Sequence, residues 1–259
     1  MAYAPLLLKH FSSLLCLAGL LASPSSASAD LAETIEKIKP SIVVVGSYKK
    51  TSSPAFTLRG TGFVVGNGNL VATNAHVVAE QSDPDGPILV IQARATNGDI
   101  QLRRAQKIAS DKDHDLAILR VEGSPLPPFH LADNYRVREG QAVAFTGFPI
   151  GGALGFSPVT HRGIISAITP IAIPGGNAQQ LNEKLIQRLK SGTFDILQLD
   201  ATAYPGNSGS PVFDPETGEV LGIINMVFIK GSKEAILSQP SGITYAIPVR
   251  YLIDALRKF

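Results

Sequence analysis

Hydrophobic residues fall along this chain in short bursts rather than in long stripes. Residues 41–47 hold Val43-Val44-Val45 at their centre and read as a buried strand. A polar, proline-containing stretch at 49–59 reads as a loop. Further bursts follow at 60–65, 69–73, 88–94, 100–109, 116–121, 141–145, 159–168, 196–199, 212–213, 220–228 and 243–247. Turn-forming clusters separate them, among them Gly66-Asn67-Gly68, Asp83-Pro84-Asp85-Gly86, Asn97-Gly98-Asp99 and Glu216-Thr217-Gly218. Many short strands at near-even spacing, with few helices between them, predict an all-β antiparallel barrel or sandwich. Helical spacing occurs in three places. Leu31, Ile35 and Ile38 mark a helix over 30–39, stopped by Pro40. Leu181, Leu185, Ile186 and Leu189 share one face of a surface helix over 178–190. A terminal helix over 249–259 is entered through Pro248.

Composition narrows the function classes. With 259 residues, 44% of them hydrophobic, the chain can bury a substantial core as one large or two small domains. The formal charge is only +2, with Lys and Arg dispersed and no Trp, so neither a basic stripe nor a base-stacking platform for nucleic acid is expected. Residues 1–29 have the form of a secretory signal peptide. Lys9 and His10 precede an apolar run over 11–22, and Ala27-Ser28-Ala29 offers a small-residue cleavage site. The run is shorter than the ~20 residues a membrane span needs, so no lasting membrane anchor is expected. Cys16 is the single cysteine and lies inside this segment. The exported chain would then hold no thiol, no disulfide and no thiolate metal site. No histidine pair has metal-binding spacing, and no cofactor is expected.

Three residues carry candidate chemistry. Ser208 lies in Pro205-Gly206-Asn207-Ser208-Gly209-Ser210-Pro211, just before a hydrophobic run. The segment is good turn chemistry in itself. A hydroxyl held in such a turn can also serve as a nucleophile, with neighbouring amides binding an oxyanion. His76 follows a strand and has small or apolar neighbours, a setting common for a core histidine. His114, His130 and His161 read as surface groups. Asp115 sits where the acidic turn 111–115 meets an apolar strand; a carboxylate buried there needs a partner, and an imidazole N–H is a suitable one. The chain order His76, Asp115, Ser208 is that of the two-barrel chymotrypsin fold, and differs from the orders used by subtilisins and α/β-hydrolases.

The segments Gly60-Thr61-Gly62-Phe63-Val64-Val65, Val71-Ala72-Thr73-Asn74-Ala75-His76-Val77-Val78, Asp115-Leu116-Ala117-Ile118-Leu119, Gly147-Phe148-Pro149 and Gly206-Asn207-Ser208-Gly209-Ser210-Pro211 together resemble the trypsin-like serine proteases of the HtrA/Deg branch. Gly222-Ile223-Ile224 and Tyr245-Ala246-Ile247-Pro248 extend the likeness over roughly residues 35–255. The resemblance implies two six-stranded antiparallel β-barrels, about 41–135 and 136–247, then a C-terminal helix, all within a protease domain at 30–259. It implies His76 as general base, Asp115 as its orienting acid and Ser208 as nucleophile, with the Gly206 and Ser208 amides as the oxyanion hole. Thr202, Ala203 and Tyr204 would wall the substrate side-chain pocket, with Asn225 on the strand opposite. No acid stands at 202, so cleavage after small or medium apolar residues is expected rather than after Lys or Arg. Two departures are visible. Ser210 replaces the family's usual second glycine, and no PDZ domain is expected after the protease domain. The aromatic residues that assemble HtrA trimers are not evident near the start, so self-association stays open. The expected activity is that of an exported, periplasmic or secreted, serine endopeptidase acting on unfolded polypeptides. A latent or inactive protease-fold chaperone or binding module, or a narrow-specificity processing protease, is the alternative.

Overall fold

The computed structural model describes residues 30–78, 85–94, 98–132, 137–150, 156–170, 194–226 and 242–258. The expected signal at 1–29 and helix at 178–190 lie outside them. Twelve strands form two closed antiparallel barrels. The first contains β1 (Ile42–Tyr48), β2 (Phe56–Val65), β3 (Leu70–Asn74), β4 (Ile88–Arg94), β5 (Ile100–Asp111) and β6 (Leu116–Val121), closed in the order β1-β2-β3-β6-β5-β4. The second contains β7 (Ala142–Gly147), β8 (Val159–Pro170), β9 (Asp195–Asp200), β10 (Pro211–Phe213), β11 (Val220–Ile224) and β12 (Ile243–Pro248), closed in the order β10-β11-β12-β9-β8-β7. Closure leaves neither sheet a free edge, and it decides between barrel and sandwich. A helix precedes the first barrel, α1 (Leu31–Ile38), and another follows the second, α2 (Val249–Leu256). Among the described residues no helix is long and apolar enough to cross a membrane.

The hydrophobic bursts do not alternate because the seam strands are buried on both faces. Val43 and Val45 of β1 fill the first barrel together with Val64, Val71, Ile91, Ala117 and Leu119. Their neighbours Ile42 and Val44 point the other way, into a second cluster with Phe63, Leu116 and Ile118 of the first barrel and Val143, Phe145, Val212, Phe213 and Ile223 of the second. A period-two strand with both faces apolar reads as a continuous run. β5 shows the opposite case: it lies on the outside, and its polar residues alternate loosely with half-buried ones.

Strand β2 begins at Phe56, inside the stretch expected to be a loop. Phe56 and Leu58 are half-buried while Thr57 and Arg59 face solvent, a real alternation that the polar composition hides. The β1–β2 register shifts between Val45 and Gly46. A Cβ on Gly46 would come within 2.6 Å of the Phe56 ring, so the glycine is what lets that ring cross the strand. Pro40 sits in a short 3-10 turn (Lys39–Ser41) that leads directly into β1.

The barrels are joined by residues 122–141, whose Phe129 packs between them. Its ring meets Phe63 edge-on at 5.6 Å and Phe213 at 6.4 Å. Removing it leaves a cavity shared by both barrels. Phe129→Ala should lower stability by about 3–5 kcal/mol in urea titration, near the top of the range for core truncations. A loss under about 1 kcal/mol would mean that the seam repacks without it.

Candidate active site

β3 ends at Asn74 and runs straight into a single 3-10 turn (Ala75–Val77) that presents His76. β5 and β6 are joined by the tight turn 112–115, closed by the pairing of Asp111 with Leu116. Asp115 ends that turn with φ +52°, in the left-handed region that a non-glycine residue enters only when neighbours hold it. Those neighbours are visible. The Asp115 carbonyl accepts from the Ala75 amide at 3.0 Å and from Asn74 Nδ2 at 3.2 Å. Its Oδ1 accepts from the His76 amide at 2.9 Å, and its Oδ2 lies 2.5 Å from His76 Nδ1. Asn225, fully buried just after β11, donates from Nδ2 to the same Oδ2 at 2.8 Å. The carboxylate is thus bound on both oxygens and half-shielded from water. It fixes the ring nitrogen that faces it as the protonated one and leaves Nε2 as the available base.

Asn225 was expected to wall the substrate pocket. It stands behind the acid, joining the second barrel to the Asp115 carboxylate of the first. Its pairing spans 110 residues of sequence, so no local pattern marks it.

Ser208 is 6% exposed and lies at the seam. Its carbonyl accepts from the Thr61 amide of β2 at 2.8 Å. A Cβ on Gly60 would meet both that carbonyl, at 2.9 Å, and Val77 Cγ2, at 2.7 Å, so residue 208 lies against the residue that follows His76. Among the described residues no hydrogen bond joins the His76 ring to the Ser208 hydroxyl. The turn around Ser208 has an alternating pattern of amides. Asn207 N donates to Tyr204 O at 2.9 Å, Gly209 N to Ile224 O at 3.0 Å and Ser210 N to Asn207 O at 3.0 Å. Among the described residues the Gly206 and Ser208 amides donate to no protein acceptor. Gly206 has φ +104°, and a Cβ there would strike the Phe148 carbonyl at 2.2 Å, so only glycine fits.

Thr61 ties this turn down. Its hydroxyl donates to the Gly206 carbonyl at 2.8 Å and accepts from the Phe148 amide at 3.0 Å. Its own carbonyl accepts from Thr73 Oγ1 at 2.7 Å. The Gly60-Thr61-Gly62 segment was legible as a motif, but the role of its threonine was not. The departure at Ser210 puts a buried hydroxyl into the turn, and among the described residues its Oγ has no hydrogen-bond partner. Its side chain is fully buried beside Gly147, where a Cβ would come within 2.0 Å of Ser210 Oγ and 2.8 Å of Asn207 Oδ1.

The expected pocket wall is partly shielded. Ala203 is buried, its amide donating to Thr244 Oγ1 at 3.1 Å, and that hydroxyl donates in turn to the Ala201 carbonyl at 2.6 Å. Thr202 and Tyr204 are half-buried. His161, read as a surface group, lies beneath this segment: its ring stacks on Phe145 at 4.8 Å and tilts toward Tyr204 at 6.1 Å. Burial pushes this imidazole below its ordinary pKa, which keeps it neutral at pH 7. His114 is also drawn inward, whereas His130 is exposed.

Comparison with known proteins agrees with this geometry. The family described as "Trypsin-like peptidase domain" matches residues 60–223. A probable periplasmic serine endoprotease, DegP-like, of Pseudomonas putida is 29% identical over 75% of this chain, which spans 33% of that relative. A mitochondrial serine protease HTRA2 of Bos taurus is 30% identical over 92% of this chain, which spans 44% of it. The chain therefore covers less than half the length of these relatives. Among solved structures, the HtrA-type protease AlgW with tripeptide superimposes with TM-score 0.62 at 26% identity, covering 88% of this chain and 62% of that one. The serine endoprotease from Yersinia pestis shares the fold, with TM-score 0.61 at 23% identity over 89% of this chain and 66% of that one. Barrel order, the paired His76 and Asp115, and the matched segments converge: the chain belongs to the trypsin-like peptidase family and is similar to its HtrA and DegP members.

Proposed function

We propose that this chain is an exported serine endopeptidase that cleaves unfolded polypeptides through an acyl-enzyme. The reading rests above all on the His76–Asp115 contact, in which a strained aspartate is held by five donors, two on its carbonyl and three on its carboxylate, so that both carboxylate oxygens engage His76 and one also meets the buried Asn225. In this mechanism Ser208 Oγ attacks the scissile carbonyl while His76 Nε2 takes its proton. Asp115 stabilises the imidazolium that results. The Gly206 and Ser208 amides receive the oxyanion; one such donor is typically worth about 3 kcal/mol. His76 then protonates the departing amine, and water repeats the sequence on the acyl-enzyme. The absence of a His76–Ser208 hydrogen bond among the described residues suits a resting site that tightens when substrate arrives.

Export follows from the signal-like residues 1–29 and is consistent with relatives named as periplasmic. Thr202, Ala203 and Tyr204 would line the side-chain pocket, and none is acidic, so apolar residues before the cut are favoured. The competing reading is a protease fold kept as a chaperone or binding module.

A fluorophosphonate probe should label the wild type covalently and leave Ser208→Ala unlabelled, and only the wild type should digest unfolded casein. Equal digestion by both would remove Ser208 from the mechanism. Silence from both with folded protein would favour the binding module. Asn225→Ala leaves the Asp115 carboxylate one donor short and should cut kcat by about tenfold to a hundredfold with KM little changed. Gly147→Ala should suppress labelling, because its methyl would lie 2.0 Å from Ser210 Oγ, and adding Ser210→Gly should restore only part of it, since Asn207 Oδ1 at 2.8 Å and Thr61 Oγ1 at 2.9 Å still crowd the methyl. Equal labelling by Gly147→Ala and wild type would show that the contact is slack.

A further inference from the structure

The turn that carries Asp115 has a second anchorage, on the side away from His76. His114, its neighbour, places its ring between elements of both barrels. Nδ1 lies 2.7 Å from Asp111 Oδ2 across the turn, and Asp111 Oδ1 accepts the amides of Asp113 and His114, both at 3.1 Å. The ring stacks on Tyr251 of α2 at 4.0 Å and 20°, and meets Phe194, the residue before β9, at 4.7 Å and 64°. Phe194 and Tyr251 meet each other edge-on at 5.4 Å. Behind them Arg250 Nη2 donates to Asp195 Oδ2 at 3.0 Å and to the Tyr251 hydroxyl at 2.9 Å, and its guanidinium lies over the Tyr251 ring. Three rings, the His114–Asp111 hydrogen bond and the Arg250–Asp195 ion pair thus fasten the β5–β6 turn of the first barrel to the segment entering β9 and to the terminal helix.

Burial opposes the charge of Asp111, yet the His114 ring and the turn amides outweigh it and hold this carboxyl below its usual range. The Asp111 side of the clamp therefore stays charged at neutral pH. The mechanical consequence concerns Asp115. Its φ of +52° is a conformation the residue does not hold by itself, and one flank of the turn is fixed through β6 and through the bonds of Asp115 to Asn74, Ala75, His76 and Asn225. The other flank is fixed through His114.

We propose that His114 is a positioning residue: its ring, clamped by Asp111 and by the Phe194–Tyr251 pair, sets the angle at which Asp115 meets His76. The second barrel then governs the acid of the first through an aromatic contact, in addition to the direct bond from Asn225. The catalytic meaning of this clamp rests on the protease reading above, but the clamp itself does not.

Two measurements separate the two. In native-state hydrogen exchange, His114→Ala should lower protection of the His76 and Ala75 amides, which donate to Asp115, by about tenfold or more, while amides of β1 and β2 keep theirs. In turnover of unfolded casein the same variant should lose about tenfold to a hundredfold in kcat with KM within about twofold. Tyr251→Leu should reproduce both effects, whereas Tyr251→Phe, which keeps the ring, should resemble wild type. Should His114→Ala not fold, the Tyr251 pair carries the same two readouts. Unchanged exchange at His76, or an equal loss of protection throughout the barrel, overturns the proposal. A wild type without turnover overturns the protease reading alone, and exchange still decides the clamp.

Discussion

One buried hydroxyl sets the relation between the two barrels at the site. Thr61 belongs to the first barrel, yet three of its polar contacts reach the second: its amide to the Ser208 carbonyl, its hydroxyl to the Gly206 carbonyl, and the Phe148 amide to that hydroxyl. Another runs to Thr73, on the strand that leads to His76. Thr61 is fully buried, so each of these groups has left water and depends on its protein partner. Losing the hydroxyl would leave the buried Phe148 N–H unpaired, at about 1–3 kcal/mol, and the half-buried Gly206 carbonyl without this donor. The turn that presents Ser208 is therefore held in register with the strand that presents His76 by directional bonds, before any contact between the two side chains is made.

Strain is concentrated in the same region. Asp115 at φ +52° and Gly206 at φ +104° stand on opposite sides of the seam, and each solves its problem differently. Gly206 has no side chain to clash, and the Phe148 carbonyl occupies the space a Cβ would need. Asp115 does have one, and such a conformation costs on the order of 1–3 kcal/mol. The donors on its carbonyl and carboxylate offset that cost, and they are the same groups that aim it. The geometry that strains the residue and the geometry that orients His76 are thus one arrangement, which is why relaxing the turn would also release the histidine.

Much of this was legible in the sequence, for identifiable reasons. Strands such as β1 and β6 could be read because they are apolar on both faces, whereas a choice of barrels over a sandwich came only with the family resemblance. His76, Asp115 and Ser208 stood out as candidates because each lies in a short motif near a strand, and because their order along the chain is informative. The partners that hold them could not. Asn225 meets Asp115 across 110 residues, Thr61 meets Gly206 across 145, and nothing local to either position announces the bond. Composition also misled where a face was exposed on one side only. Residues 56–59 are polar at alternate positions because they form the solvent-facing end of β2, not because they are a loop. His114 and His161 sit in polar surroundings by sequence, but tertiary packing brings aromatic rings over both.

The seam also shows how apolar and polar contacts divide their work. Phe63, Phe129 and Phe213 and the aliphatic residues around them supply most of the energy that keeps the barrels together, since burial is rewarded in proportion to area. That reward is nearly indifferent to a small sliding or rotation of one barrel on the other, because an apolar surface accepts many arrangements of similar energy. Hydrogen bonds are not indifferent: beyond about 3.5 Å or below ~120° they are lost. A displacement of an ångström would cost the apolar seam little and would break the Thr61, Asn225 and Asp115 contacts together. Stability is therefore mainly a property of the aromatic part of the seam, and register a property of its polar part. The two lie side by side in the seam, so the contacts that fix the register sit on the part of the core that supplies the area.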